Sequence, residues 1–397
     1  MWSGRHVVLG VSGGIASYKS GVLVRRLTEA GARVDVILTA SAAEFVRPVL
    51  FEALSGRPVL TSLWEPGRAL DHIRLARDPD LVIVAPATAN LIARMAQGMA
   101  DDPLTTVLLA RSGPVLLAPA MNDAMYAAPA TQRNLGLLRE RGVTMVGPDT
   151  GALAEGPSER PGRMSEPETI LHHAARLLRG GGPLAGKTVV VTAGPTREAL
   201  DPVRVLTNRS SGKMGFRLAQ AAWYRGAEVR LITGPSAETP PEGVACQRIE
   251  TTAELERAVA TALPDTDVLI MAAAPADYRP EGVNAVKRSR QQGPFTVGLA
   301  PTADILLATR ALRKPGSLVV GFALETGDAL RKGREKLERK LLDLIVVNDA
   351  TEPGAGFEVD TNRVTIVAKD GTEWEVALAS KASVAESILD RIEAALV

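Results

Sequence analysis

Two short segments hold the residues best suited to chemistry on an anion. Val7-Val8-Leu9-Gly10-Val11-Ser12-Gly13-Gly14-Ile15-Ala16 and Val189-Val190-Val191-Thr192-Ala193-Gly194-Pro195-Thr196 each run from a β-branched strand into a turn of small residues that opens a helix. Small residues let a ligand approach the backbone, and unpaired N–H groups at a helix start favour a bound phosphate. The first turn lacks the G-x-G-x-x-G spacing, and the second strand ends in Leu38-Thr39-Ala40-Ser41 without an acid for a ribose hydroxyl. Both features point away from NAD. Hydroxyls of Ser12, Thr39 and Ser41, with the N–H groups of Gly13 and Gly14, suit the terminal phosphate of a flavin mononucleotide (FMN). Taken alone, the turn is also compatible with a purely structural tight turn.

The elements that must position these groups alternate along the chain. Apolar strands are expected at 5–10, 33–38, 81–85, 115–118 and 143–146, separated by helical stretches. Continuous Val/Ile/Leu runs of this kind indicate a parallel sheet covered on both faces, with ligands beyond the C-terminal strand ends. Arg179-Gly180-Gly181-Gly182-Pro183-Leu184 breaks the pattern and reads as a linker. Strands resume at 187–192, 228–233, 267–272, 317–322 and 343–347, with a helix over 214–225. A hairpin over 363–376 turns at Asp370-Gly371, and a last helix starts near Lys381. The expected fold class is α/β, with two doubly wound domains: 1–179 with a parallel sheet, and a Rossmann-like 187–397 with a late β-hairpin, joined by 180–186.

Three further segments carry specific chemistry: Ala85-Pro86-Ala87-Thr88-Ala89-Asn90, Gly98-Met99-Ala100-Asp101-Asp102-Pro103-Leu104-Thr105-Thr106, and Pro119-Ala120-Met121-Asn122-Asp123-Ala124-Met125-Tyr126. Their order and spacing over 5–175 resemble the flavin-dependent cysteine decarboxylases, phosphopantothenoylcysteine decarboxylase among them; Tyr126 replaces a usual Trp. The resemblance implies FMN held by the Ser12, Gly13, Gly14, Thr39 and Ser41 turns together with Thr88, Asn90, Thr105 and Thr106. It implies substrate contacts from Met121, Asn122, Arg163 and Met164, with Asn122 on the substrate carboxylate. His72, one of four histidines, matches the catalytic histidine, and an imidazole titrates where a base is useful. His6, His172 and His173 read as structural. In this family the thiol end of cysteine is oxidised, the thioaldehyde loses carbon dioxide, and electrons return from the flavin.

One departure is informative. Family members that make a saturated thiol carry Ala-Cys-Gly before Gly-Arg-Met, whereas this chain has Ala154-Glu155-Gly156 and then Pro161-Gly162-Arg163-Met164. Glu155 is the candidate replacement acid, provided burial keeps it protonated. The alternatives are a solvated loop carboxylate or release of an enethiol.

The second half carries Ala193-Gly194-Pro195-Thr196-Arg197-Glu198, a segment from Asp201 through Arg204, Asn208, Ser210-Ser211-Gly212-Lys213 to Gly215, and Ala272-Ala273-Ala274-Pro275-Ala276-Asp277. Over 185–390 these resemble phosphopantothenate–cysteine ligase. A lone Ser-Ser-Gly-Lys is also an ordinary N-cap with a basic flank. The resemblance implies a nucleotide site on Gly194, Ser211, Gly212, Lys213, Ala273, Asp277, Ala303-Asp304-Ile305-Leu306, Phe322, Lys336 and Lys340. Lys336 and Lys340, one helical turn apart, would reach one triphosphate. It also implies CTP and Mg²⁺ as reaction partners, formation of an acyl-cytidylate handled by Arg204 and Asn208, and charge stabilisation by Lys287. Val286-Lys287-Arg288-Ser289-Arg290 keeps the positive charge usual there, while Pro301-Thr302-Ala303-Asp304-Ile305 lacks a lysine and an asparagine usual in the family.

The whole chain thus resembles bacterial bifunctional enzymes of coenzyme A synthesis. Its composition agrees: 46 basic and 45 acidic residues leave a net charge of +1, without the footprint of a nucleic-acid or anionic-lipid partner. Small-molecule substrates, no protein-built metal site, no membrane segment and a cytoplasmic location are expected. The resemblance implies a homo-oligomer with trimeric flavodomain and dimeric ligase contacts, and a flavin site between subunits. A ligase fused to a merely flavin-binding domain, and a prenyl-transfer flavoprotein, are the rival readings. The single Cys246 reads as a semi-buried strand residue.

Overall fold

The computed structural model describes residues 1–64, 67–287, 289, 291, 293, 295–349, 356 and 359–397. They form two compact units, Met1–Arg179 and Gly180–Val397.

In the first unit, β1 (His6–Val11), β2 (Arg33–Leu38), β3 (Leu81–Ala87), β4 (Val115–Pro119) and β5 (Thr144–Met145) make one parallel sheet in the order β2-β1-β3-β4-β5. β1 and β3 are buried at every position, which is why they read as unbroken apolar runs. Val8, Val82, Val84 and Leu117 pack on one face against Leu91, Ile92, Leu104 and Leu135 of the covering helices. The sequence pattern did not reveal an antiparallel hairpin, β6 (Asp149–Leu153) and β7 (Gly156–Arg163). Almost nothing in it is buried, so no alternation marks it.

The second unit holds β8 (Thr188–Ala193), β9 (Arg197–Ala199), β10 (Val205–Thr207), β11 (Glu228–Thr233), β12 (Ala245–Arg248), β13 (Val268–Met271), β14 (Tyr278–Pro280), β15 (Leu299–Pro301), β16 (Leu318–Glu325), β17 (Leu344–Asp349), β18 (Thr361–Ala368) and β19 (Glu373–Ser380). Its main sheet runs β12-β11-β8-β13-β16-β17-β18-β19. It is parallel as far as β17, and the late hairpin β18–β19 closes it antiparallel. The helices Lys213–Tyr224 and Lys381–Ala395 cover one face with Phe216, Leu218, Val384, Ile388 and Leu389. Leu184, placed in the expected linker, is fully buried in this core, so the chain engages the second unit before its first strand. Cys246 is exposed on the edge strand β12 rather than semi-buried. Among the described residues no helix is long and apolar enough to cross a membrane.

Candidate functional site

A cavity of about 800 Å³ opens beyond the C-terminal ends of β1, β2, β3 and β4. The chain goes from β1 to β2 on one side and on to β3 on the other. Ligands of doubly wound sheets settle at such reversals, in sites of ~300–1,000 Å³. Ser12, Gly13, Gly14, Thr39, Ser41, Thr88 and Asn90 all line the cavity. Ser12 Oγ donates to the Pro86 carbonyl at 2.8 Å and accepts the Thr88 N–H at 3.0 Å, tying the turn after β1 to the turn after β3. A Cβ on Gly13 would fall 2.3 Å from Ser41 Cβ and 2.7 Å from its carbonyl carbon. Only glycine lets the first two turns close into this cradle.

Asn122 is oriented by the backbone. Its Oδ1 accepts from Ala124 N–H at 2.8 Å and Met125 N–H at 3.3 Å, capping the helix Asp123–Ala127. Nδ2 is left to serve the cavity wall, where it donates to the Glu155 carboxylate. Met121, Arg163 and Met164 line the same space. Glu155 sits exposed at the two-residue tip of the β6–β7 hairpin, on the rim of the same cavity.

Three expected site residues stand away from the cavity of their own chain. Thr105 and Thr106 do not line the cavity; Thr105 is 1% exposed and forms a capping box with Asp102. Thr106 Oγ1 donates to the Asp102 carbonyl at 2.8 Å. His72 also stands apart from its own chain's cavity, on the helix Asp71–Arg77, with Nδ1 buried and without a hydrogen-bond partner. Conversely, Lys19 was not foreseen. It is 7% exposed, lines the cavity, and donates to the Met164 carbonyl at 3.2 Å and Glu166 Oε1 at 3.0 Å. That hydrogen bond, with the charges of Lys19 and Arg163, holds the Glu166 carboxyl below its usual range despite partial burial. A lysine in the first turn of the helix that follows the glycines was its only signal.

In the second unit, the turn after β8 and the loop after β13 converge. Gly194 adopts φ +74°, and a Cβ on Gly212 would lie 3.2 Å from Gly194 Cα. Asn208 Nδ2 donates to the Ala274 and Pro275 carbonyls at 3.1 and 2.9 Å, and Ala273 N–H to Thr192 Oγ1 at 3.1 Å. Gly194, Asn208, Ser211, Gly212 and Ala273 are thereby brought together. Lys213 reaches Asp360 at 2.5 Å, and that hydrogen bond raises the lysine and lowers the acid. The exposed Asp277 accepts Thr302 N–H on its carbonyl at 2.9 Å, placing the 302–304 turn beside it.

Other nucleotide candidates are dispersed or committed elsewhere. Ile305 and Leu306 bury their side chains in the core, leaving only backbone for a ligand, and Phe322 is partly packed there. Lys340 follows the helix Ala329–Arg339 as its C-cap. Lys336 pairs with Glu325 while Lys340 pairs with Asp304 at 3.0 Å, so the two do not share a partner. Arg204 Nε donates to Asp201 Oδ2 at 2.7 Å; that bond, with the Val203 and Arg204 N–H groups, outweighs the opposing effect of burial and holds the Asp201 carboxyl at about 2. Lys287 is exposed; Arg288 and Arg290 lie outside the described residues. Among the described residues, no three His, Cys, Asp or Glu side chains cluster as a metal site.

Residues 1–179 match the Flavoprotein family, and residues 184–396 match the DNA/pantothenate metabolism flavoprotein C-terminal domain. The chain is 45% identical over 394 residues to the coenzyme A biosynthesis bifunctional protein CoaBC of Vibrio cholerae, covering 98% of both chains. It is 46% identical over 399 residues to the CoaBC protein of Bacillus subtilis, covering 99% of this chain and 98% of that one. The chain belongs to the bifunctional coenzyme A biosynthesis family. A crystal structure of the C-terminal domain of a CoaBC protein aligns with TM-score 0.47 and 38% identity, covering 54% of this chain and 98% of that one.

Membership makes the protein an enzyme of coenzyme A biosynthesis that joins a flavoprotein decarboxylase unit to a ligase unit. The first unit's cavity suits a flavin nucleotide on this structure's own evidence: a glycine cradle that a Cβ would fill, hydroxyls of Ser41 and Thr88, and sufficient volume.

Proposed function

We infer that the second unit joins 4'-phosphopantothenate to cysteine, and that the first unit decarboxylates the product to 4'-phosphopantetheine. The observation that carries this reading is the first unit's cavity, where a phosphate cradle and an oriented amide donor, Asn122 Nδ2, line one space. The Gly13-Gly14 backbone, Ser41 and Thr88 would hold FMN, which supplies the oxidation of the substrate thiol and its later reversal. Asn122 binds the substrate carboxylate, and Met121, Arg163 and Met164 line the path of the rest. Lys19 fixes the Met164 backbone. His72 acts as base, and because its imidazole stands apart from its own cavity, the complete site takes it from a neighbouring copy. A homo-oligomer follows, with trimeric contacts here and dimeric contacts in the ligase unit; exposed Ile15, Tyr18, Phe45 and Val49 supply apolar surface for it.

In the ligase unit, Gly194, Ser211, Gly212, Lys213, Ala273, Asp277, the 303–306 backbone, Phe322, Lys336 and Lys340 hold CTP with Mg²⁺ on its phosphates. The phosphopantothenate carboxylate takes the CMP group as pyrophosphate leaves past Lys287. Cysteine's amine then displaces CMP at the site of Arg204 and Asn208 to form the amide. Anaerobic incubation of the protein with 4'-phosphopantothenate, cysteine, CTP and Mg²⁺, read by mass, tests this. Saturated phosphopantetheine is expected, and substitution Glu155→Gln lowers its yield in favour of enethiol if Glu155 gives the last proton. Accumulated phosphopantothenoylcysteine defeats the decarboxylase reading, and no condensation product defeats the ligase reading.

A further inference from the structure

The β6–β7 hairpin is fastened to the Met121-Asn122-Asp123 turn at both ends. At its base, Met121 N–H donates to the Gly162 carbonyl at 3.0 Å, and further along β7 Ser158 Oγ donates to Asp123 Oδ2 at 2.6 Å. At its tip the Glu155 carboxylate accepts from Asn122 Nδ2. The two fastenings differ in what else could fill them. Gly162 allows no replacement, since a Cβ there would lie 2.6 Å from the Met121 carbonyl oxygen. The tip contact joins an exposed anion to a side-chain donor on the cavity wall.

Because Oδ1 is held by two backbone N–H groups, the Asn122 amide cannot flip without uncapping its helix, so it always offers N–H to the cavity. A fixed donor selects an acceptor, and a carboxylate is the strongest available. The substrate brings one, and the chain already holds one there. We propose that Glu155 is an internal occupant of the substrate-carboxylate seat. The hairpin tip docks on Asn122 in the empty enzyme, and the incoming carboxylate displaces it, since two anions on one amide repel. Loss of carbon dioxide vacates the seat, Glu155 returns, and the decarboxylated product competes with nothing there. This rests on the reading of Asn122 as the carboxylate contact.

The test uses the full-length, flavin-loaded protein and the flavin absorbance as readout. Two ligands are titrated: phosphopantothenoylalanine, which keeps the carboxylate but has no thiol to oxidise, and phosphopantetheine, which has no carboxylate. Relative to the unsubstituted protein, Glu155→Ala tightens the alanine analogue by about three- to ten-fold, the range for one solvent-accessible hydrogen bond, and leaves phosphopantetheine unchanged. Glu155→Gln, which keeps an acceptor and loses the charge, falls between. Retained flavin content shows that each variant is folded. Equal or weaker binding of the alanine analogue to Glu155→Ala, or equal tightening of both ligands, overturns the proposal while the decarboxylase reading stands. An unsubstituted protein that binds neither ligand and releases no carbon dioxide overturns both.

Discussion

The two units both hold their candidate sites beyond the C-terminal ends of parallel strands, yet build them from different material. In the first, backbone does the positioning: Gly13 closes on Ser41, Ser12 locks two turns together, and helix caps orient Thr39, Thr88 and Asn122. In the second, turns also converge around Gly194 and Gly212, but the cations proposed for the nucleotide are engaged with the chain's own acids, Lys213 with Asp360, Lys336 with Glu325 and Lys340 with Asp304. A cradle of backbone is formed before its ligand arrives, whereas a set of ion pairs must exchange partners. The first arrangement is preorganised and weakly sensitive to salt; the second is rearranged on binding and screened by it.

The largest effect that sharpens this contrast comes from filling the cradle. Gly13→Val drives branched carbon into the Ser41 backbone, and overpacking of ~1–3 kcal/mol predicts flavin affinity lower by roughly ten- to a hundred-fold. Flavin absorbance of the purified variant falls, while its CTP-dependent ligation is retained. Next, Lys336→Ala removes one charge-assisted contact to the triphosphate, worth ~1.5–3 kcal/mol, so kcat/KM for CTP falls by about ten- to a hundred-fold with bound flavin unchanged. Loss of flavin in that variant would break the separation of the two sites.

A smaller effect separates the first site from the frame beneath it. Asp35 lies on β2 and is nearly fully buried; burial works against its charge, but hydrogen bonds from His6 and Arg57 outweigh this and hold its carboxyl at about 2. A depressed carboxyl stabilises the folded state above its unfolded pKa of ~3.9, and that contribution is lost as pH falls towards 2. The shift corresponds to about 2–3 kcal/mol. Acid unfolding of Asp35→Asn therefore shows a shallower loss of stability between pH 4 and 2, with flavin content at neutral pH unaltered.

Sequence carried the frame further than the sites. Parallel strands announce themselves because both faces are buried, and β2 and β11 match their expected residues from end to end. The β6–β7 hairpin was invisible because its residues are polar, Gly- and Pro-broken and exposed. Glycines were the most legible site residues, since their role is backbone approach. Hydroxyls were less so: Thr88 and Thr105 both serve the capping of a helix start, Thr88 as N-cap and Thr105 in the box of Asp102, but only Thr88 faces the cavity. Lysine partners were not legible at all, because Glu325 and Asp304 reach Lys336 and Lys340 through tertiary packing that no spacing encodes.

The contrast is tested most directly by salt. Calorimetric titration of FMN into flavin-stripped protein, and of CTP with Mg²⁺ into the same protein, is done at low and at raised potassium chloride. A change from about 0.05 to 0.5 M shortens the screening length roughly three-fold. CTP affinity is expected to drop steeply while FMN affinity hardly moves. Equal losses for the two ligands, or a loss confined to FMN, would contradict the contrast.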